Sequence, residues 1–112
     1  MKRFATACFA TAAIALAWAP AVHAEGDVFT IKIKDHRFDP DKIEISADKK
    51  VKLIIINQDS TAEEFDSDDL HREKLIPAGK EGAVFIGPLK PGTYKFIGEY
   101  NQATARGVVV VK

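Results

Sequence analysis

Carboxylates crowd one stretch of this chain. Five acids, Glu63, Glu64, Asp66, Asp68 and Asp69, stand within seven residues, and Glu73 and Glu99 follow. Two histidines accompany them, His36 and His71. Carboxylate oxygens are hard ligands that suit iron, manganese, calcium or magnesium, and imidazole adds affinity for iron, copper and zinc. Glu64, Asp66, Glu73 and Glu99 are therefore candidate metal ligands, with His71 and His36 as candidate imidazole donors. The same residues also read as an ordinary charged loop in water, because Asp and Glu are mostly solvated. His36, which follows Lys34-Asp35, also reads as a surface histidine at a strand end. If this stretch is a strand, its period of two puts Glu64 and Asp66 on one face and Glu63 with Phe65 on the other. Which of Glu63 and Glu64 faces a site stays open at this level.

Other chemistries find little support. No G-x-S-x-G, phosphate-binding glycine loop or H-E-x-x-H pattern occurs, so no catalytic residues are assigned. The only cysteine, Cys8, lies near the start of the chain, as do Met1 and Trp18. Lys2 and Arg3 precede an uncharged, Ala-rich run from Phe4 to Trp18, Pro20 interrupts it, and Val22-His23-Ala24 fits a small-x-small cleavage site. These features read as a secretory signal peptide over residues 1–24, with export to the periplasm. Cleavage after Ala24 would leave 88 of the 112 residues, Glu25–Lys112. That product has no Cys, hence no disulfide, thiolate ligand or Cys nucleophile. Its Lys and Arg number 14 against 16 acids, a formal charge of −2, once Lys2 and Arg3 are removed from the totals. Nucleic acid is not an expected partner, because phosphate binding needs a concentrated basic patch.

The candidate ligands must be positioned by strands. Val28–Lys34 and Lys42–Ile45 alternate apolar and polar residues. Asp39-Pro40-Asp41, Ala47–Lys50 and Pro77–Lys80 read as turns. Val51–Asn57 is β-branched and mostly apolar, so it is expected to be a central strand covered on both faces. Glu64–Asp66 and Ala83–Ile86 read as short strands. Pro88–Gly92 punctuates before Thr93–Gly98, and Gly107–Lys112 is a last strand. Ser67-Asp68-Asp69-Leu70 is expected to cap a short helix or 3₁₀ turn. The size and spacing predict one all-β domain over 25–112, a Greek-key β-sandwich.

The chain from Glu25 on resembles the cupredoxin-like family, in particular the small periplasmic branch related to the EfeO-type cupredoxin domain. Three stretches carry the likeness. They are Phe38-x-Pro40 with Ile43–Ile45; Glu64-Phe65-Asp66-Ser67 with Glu73-Lys74 and Ile76-Pro77-Ala78-Gly79; and Gly87–Thr93 with Tyr94-x-Phe96 and Gly98-Glu99-Tyr100. In that family C-x-x-H, a Met and x-G follow the G-x-Y-x-F strand. Here Gly98, Asn101 and Ala105 stand where the Cys, His and Met would fall. A blue-copper electron-transfer centre needs a thiolate and two imidazoles, usually with a weak axial thioether. The resemblance thus implies a cupredoxin-like domain without that centre. It also implies an accessory to an iron, or iron and copper, uptake system, with iron or copper as the bound ion. A membrane iron permease or a periplasmic iron-binding protein would be its partner. Ferroxidase activity would need an electron acceptor that no thiolate site here supplies. Two rival readings remain: a metal-free docking module, and a Cu(II) carrier using His71 and His36.

Overall fold

The computed structural model describes residues 27–112. The expected signal peptide, residues 1–24, lies outside the described residues. Among the described residues nine strands form, most of them following from side-chain alternation: β1 (Val28–Lys34), β2 (Arg37–Asp39), β3 (Lys42–Ile45), β4 (Val51–Asn57), β5 (Glu63–Ser67), β6 (Arg72–Ile76), β7 (Glu81–Ile86), β8 (Gly92–Gly98) and β9 (Arg106–Val111). Among the described residues a single 3₁₀ turn, Glu99–Asn101, connects β8 toward β9. The strands pair as a four-stranded sheet ordered β2-β1-β4-β7 and a five-stranded sheet ordered β3-β9-β8-β5-β6. The expected β-sandwich is therefore the observed fold.

The two inward faces make one core. Ile31, Ile33, Leu53, Ile55, Val84 and Ile86 come from the first sheet. Ile43, Ile45, Phe65, Phe96, Val109 and Val111 come from the second. Phe38 of β2 reaches across to join the sheets. Its ring stands edge-on to Phe96 at 5.0 Å and to Phe65 at 6.2 Å, while Phe65 and Phe96 lie 5.1 Å apart. Such pairings add to the burial of large apolar area.

Two local expectations are corrected. Ser67–Leu70 makes the expected capped turn, with the His71 amide donating to the Asp68 carbonyl at 3.2 Å, but no helix follows. Ser67 ends β5, and its hydroxyl accepts from the Leu70 amide at 3.0 Å while donating to the Lys95 carbonyl at 2.6 Å. That turn leads directly into β6, an edge strand whose residues before Ile76 are all exposed, so its sequence shows no apolar alternation. The central strand β4 is also not covered on both faces. Val51, Leu53 and Ile55 are buried, but Lys52, Ile54 and Ile56 are only half-buried on the outside. Its β-branched outer residues suit a pleated surface without a second layer above them.

The Phe38–Phe65–Phe96 cluster predicts a large truncation cost. Phe96→Ala should lower unfolding free energy by about 3–5 kcal/mol in chemical denaturation, as buried Phe→Ala changes do. A loss below about 1 kcal/mol would show that this ring is not close-packed.

Candidate functional site

Asn57 ends β4 at 1% exposure and organises one end of the sandwich. Its amide nitrogen donates to the Thr61 and Ile76 carbonyls at 2.9 and 3.0 Å, and its oxygen accepts from the Asp59 amide at 3.0 Å. This fixes the entry into β5 against the exit of β6. Asp59 in turn caps the two-residue hairpin between β1 and β2, where Asp35 and His36 both have positive φ. Its carboxylate oxygens accept from the amides of Asp35 at 2.7 Å and His36 at 2.9 Å.

The alternation that buries Phe65 and Ser67 also turns Glu63 inward, and Glu63 is 2% exposed. Its Oε1 accepts from the Glu64 amide at 3.0 Å and the Tyr100 amide at 2.9 Å. Its Oε2 accepts from the Asn101 side-chain amide at 2.7 Å. Three donors thus converge on a buried acceptor-only group, which burial without partners would penalise heavily. Gly98 is what makes room. A Cβ there would lie 2.7 Å from the Glu63 Cδ and 2.6 Å from the Ala105 Cβ. The Gly98 amide donates to the Ala105 carbonyl at 2.9 Å, closing the loop between them. Gly98, Asn101 and Ala105, the positions compared above with copper ligands, therefore do meet in space, around Glu63.

That pocket does not fit a type 1 copper centre. Gly98 and Ala105 offer no side-chain donor, the Asn101 amide is turned toward Glu63, and no Cys or Met occurs among the described residues. Soft-ligand chemistry has nothing to work with there.

The four candidate acids lie elsewhere, together on the outside. Asp66 faces Glu73 across the β5–β6 register, and Glu64 faces Leu75. The Glu73 carboxyl is raised above its ordinary range, first by a hydrogen bond with Glu64 and then by the charges of Glu64, Asp66 and Glu99. Glu99 is raised by a hydrogen bond with Asp66, by burial, and by the charges of Asp66, Glu64 and Asp68. Burial raises the Tyr100 phenol, with the charge of Glu64 next. The expected grouping of Glu64, Asp66, Glu73 and Glu99 is thus met in space. Even so, among the described residues no three His, Asp or Glu side chains are arranged as they stand to coordinate one ion.

The histidines are not brought to one place. His71 occupies the β5–β6 turn at φ 54° and lines a shallow recess with Asp66, Ser67, Asp68, Arg72 and Glu73. His36 sits on the β1–β2 turn with its Nδ1 3.5 Å from Asp59, and its carbonyl accepts from the Thr104 hydroxyl at 2.6 Å.

Comparison with known proteins agrees with this architecture. The Cupredoxin-like domain family matches residues 6–111, and the chain belongs to that family. A relative in Rickettsia prowazekii (strain Madrid E), described as an uncharacterized protein, is 46% identical over 81 residues. Those residues are 72% of this chain and 65% of the relative, so the match spans just under two thirds of that protein's length. Among solved structures, auracyanin A, a blue copper protein of Chloroflexus aurantiacus, superposes with a TM-score of 0.67 at 15% identity, over 78% of this chain and all of that one. The metal-binding domain of the Streptococcus pneumoniae Cu(I)-exporting P-type ATPase gives 0.67 at 13% identity, over 78% of this chain and 87% of that one. At these identities the likeness is one of fold.

Two outcomes follow from the site. Glu63→Gln swaps one acceptor for a donor among three donors, so it should destabilise the domain by about 1–3 kcal/mol in denaturant melts. A change within about 0.5 kcal/mol would mean the carboxylate does not hold the loop. The outer cluster should act oppositely. Glu73 and Glu99 have folded-state pKa values above the ordinary 4.5, so the folded state holds their protons more tightly. Their contribution favours folding below the ordinary carboxylate range and is lost as pH rises through the raised values. Glu73→Gln should therefore raise the melting temperature at neutral pH, and the gain should vanish once the carboxyls are protonated. A gain that persists unchanged at acid pH would remove the repulsion account.

Proposed function

We propose that this protein is an exported cupredoxin-like accessory that captures a hard divalent cation through its outer carboxylates, with iron as the first candidate. The observation that carries the reading is the gathering of Glu64, Asp66, Glu73 and Glu99 on one outer surface, with Asp66 opposite Glu73 across the β5–β6 register. Like charges this close repel, consistent with the upward direction of the Glu73 and Glu99 carboxyls. A bound cation relieves that repulsion, and side-chain rotation about exposed strand positions would bring oxygens to it. Oxygen donors match iron, manganese, calcium or magnesium. The signal-like residues 1–24 support export to the periplasm, and the family resemblance supports service to an iron, or iron and copper, uptake system. A membrane permease or a periplasmic iron-binding protein would then receive the ion. On this reading Gly98, Asn101 and Ala105 mark a copper-ligand loop that has lost its ligands and is held by Glu63 instead.

A second reading rests on Leu75 and Tyr100, which are 53% and 54% exposed beside the same acids. Apolar and aromatic groups ringed by charge also suit a docking surface. A Cu(II) carrier would need His36 and His71 to move from separate turns.

Thermal melts with anaerobic Fe(II), Mn(II), Cu(II) and Zn(II) separate these readings. A cation at a hundredfold excess over its Kd contributes about 2.7 kcal/mol, a rise of roughly 10 °C for a domain this small. Glu64→Gln and Glu99→Gln should each reduce the response, and His36→Gln should not. If no metal shifts the melt, or if both Gln variants respond like the unaltered protein, the docking module takes its place.

A further inference from the structure

Neither the core nor the loop end explains the outward face of the four-stranded sheet. Strand register lays its outward side chains in rows. Val28, Lys52 and Phe85 form one row, Thr30, Ile54 and Ala83 the next, and Asp39, Lys32, Ile56 and Glu81 the third. Lys34 and Arg37 pair beyond them. Val28 is 58% exposed and Phe85 49%. The Lys50 and Lys52 ammonium groups lie 5.9 and 5.8 Å from the centre of the Phe85 ring. Lys32, Lys34, Arg37, Lys50 and Lys52 thus outnumber Asp39 and Glu81 around a half-buried aliphatic strip.

We propose that this face docks on an anionic lipid bilayer. Charge complementarity is the first argument. Five basic side chains spread over one sheet face match a plane of phosphate headgroups, and their apolar stems and Phe85 can settle at the acyl boundary while the ammonium groups stay with the phosphates. Chain path is the second. The uncharged run from Phe4 to Val22 ends a few residues before Val28. The Lys52 amide donates to the Asp27 carbonyl at 2.9 Å, so the chain enters the fold at the Val28–Lys52–Phe85 row. Until cleavage after Ala24, that row would be the part of the domain tethered nearest the bilayer. A second copy is a poorer occupant. The complementary acids lie on the other sheet's outward face, so pairing would be head-to-tail rather than a self-complementary two-fold contact.

Co-sedimentation with vesicles tests the face. The form expected after cleavage, Glu25–Lys112, contains both sheets and every core residue named above, and its cooperative melt is the first check. Vesicles of phosphatidylcholine alone should be compared with vesicles carrying about one part in three of phosphatidylglycerol. Binding should be about tenfold stronger on the anionic vesicles and should fall steeply by about 0.5 M salt. Lys50→Glu with Lys52→Glu should abolish it, and so should Lys32→Glu with Lys34→Glu, with folding of each checked by its melt. Lys42→Glu with Lys95→Glu, on the other sheet, should leave it unchanged. Equal binding to neutral vesicles, absence of binding, or equal sensitivity to the Lys42 and Lys95 changes would overturn the proposal. So would self-association, or capture by an acidic polypeptide, that depends on Lys50 and Lys52 in the absence of lipid binding.

Discussion

A buried carboxylate accepting three hydrogen bonds holds the loop end of this sandwich together. Glu63 joins the start of β5 to the 3₁₀ turn after β8, through the amides of Glu64 and Tyr100 and the side chain of Asn101. These segments are far apart in sequence, and closing the loop between them costs chain entropy. A metal bound by several loops is one way to offset that cost. Here a hydrogen-bonded acid bridges the segments. The arrangement works only because Gly98 has no side chain, since any Cβ would collide with both Glu63 and Ala105. Glu63 and Gly98 are thus one feature seen from two strands, and the loop from Gly98 to Ala105 inherits its shape from them.

Most of the fold was legible because half-buried strands write their burial into alternation. Ile31 and Ile33 in β1, and Ile43 and Ile45 in β3, needed only the period of two. Legibility failed where burial stops imposing a pattern. β6 is an edge strand with Arg72, Glu73, Lys74 and Leu75 all exposed, so its partner β5 determines it and its own residues do not. β4 failed in the opposite sense. Its run of β-branched residues resembles a strand covered on both sides, but the outer half of that run is a sheet surface.

The site was legible in part, for a related reason. Strand period put Glu64 and Asp66 on one face, but Glu73 and Glu99 were candidates by residue type and family resemblance. Only the structure shows the β5–β6 hairpin that sets Glu73 opposite Asp66. The inward role of Glu63 was also written in the sequence. Phe65 must face the core, and Glu63 shares its parity. A charged residue at a core position goes against the usual composition of interiors, and only the structure supplies the three donors that make it tolerable. Asn101 could not be identified from sequence as the partner of Glu63, because 38 residues separate them.

A formal net charge of zero conceals how the charges are arranged. Repulsive acids gather over β5, β6 and the turn after β8, while lysines spread over the outer face of β1 and β4. Both faces are built on the same strands that bury the core, and alternation forces each strand to present something outward. On β5 the outward residues are Glu64 and Asp66. On β4 they are Lys52, Ile54 and Ile56. The domain therefore carries local charge clusters even though the sum of its charges is small, with Lys42, Lys95 and Arg106 sharing the outer face of the acidic sheet. Fields of this kind act over a Debye length of roughly 10 Å at moderate salt. If both proposals hold, the cation and the anionic surface would meet opposite outer faces of the two packed sheets, which lie about 10 Å apart.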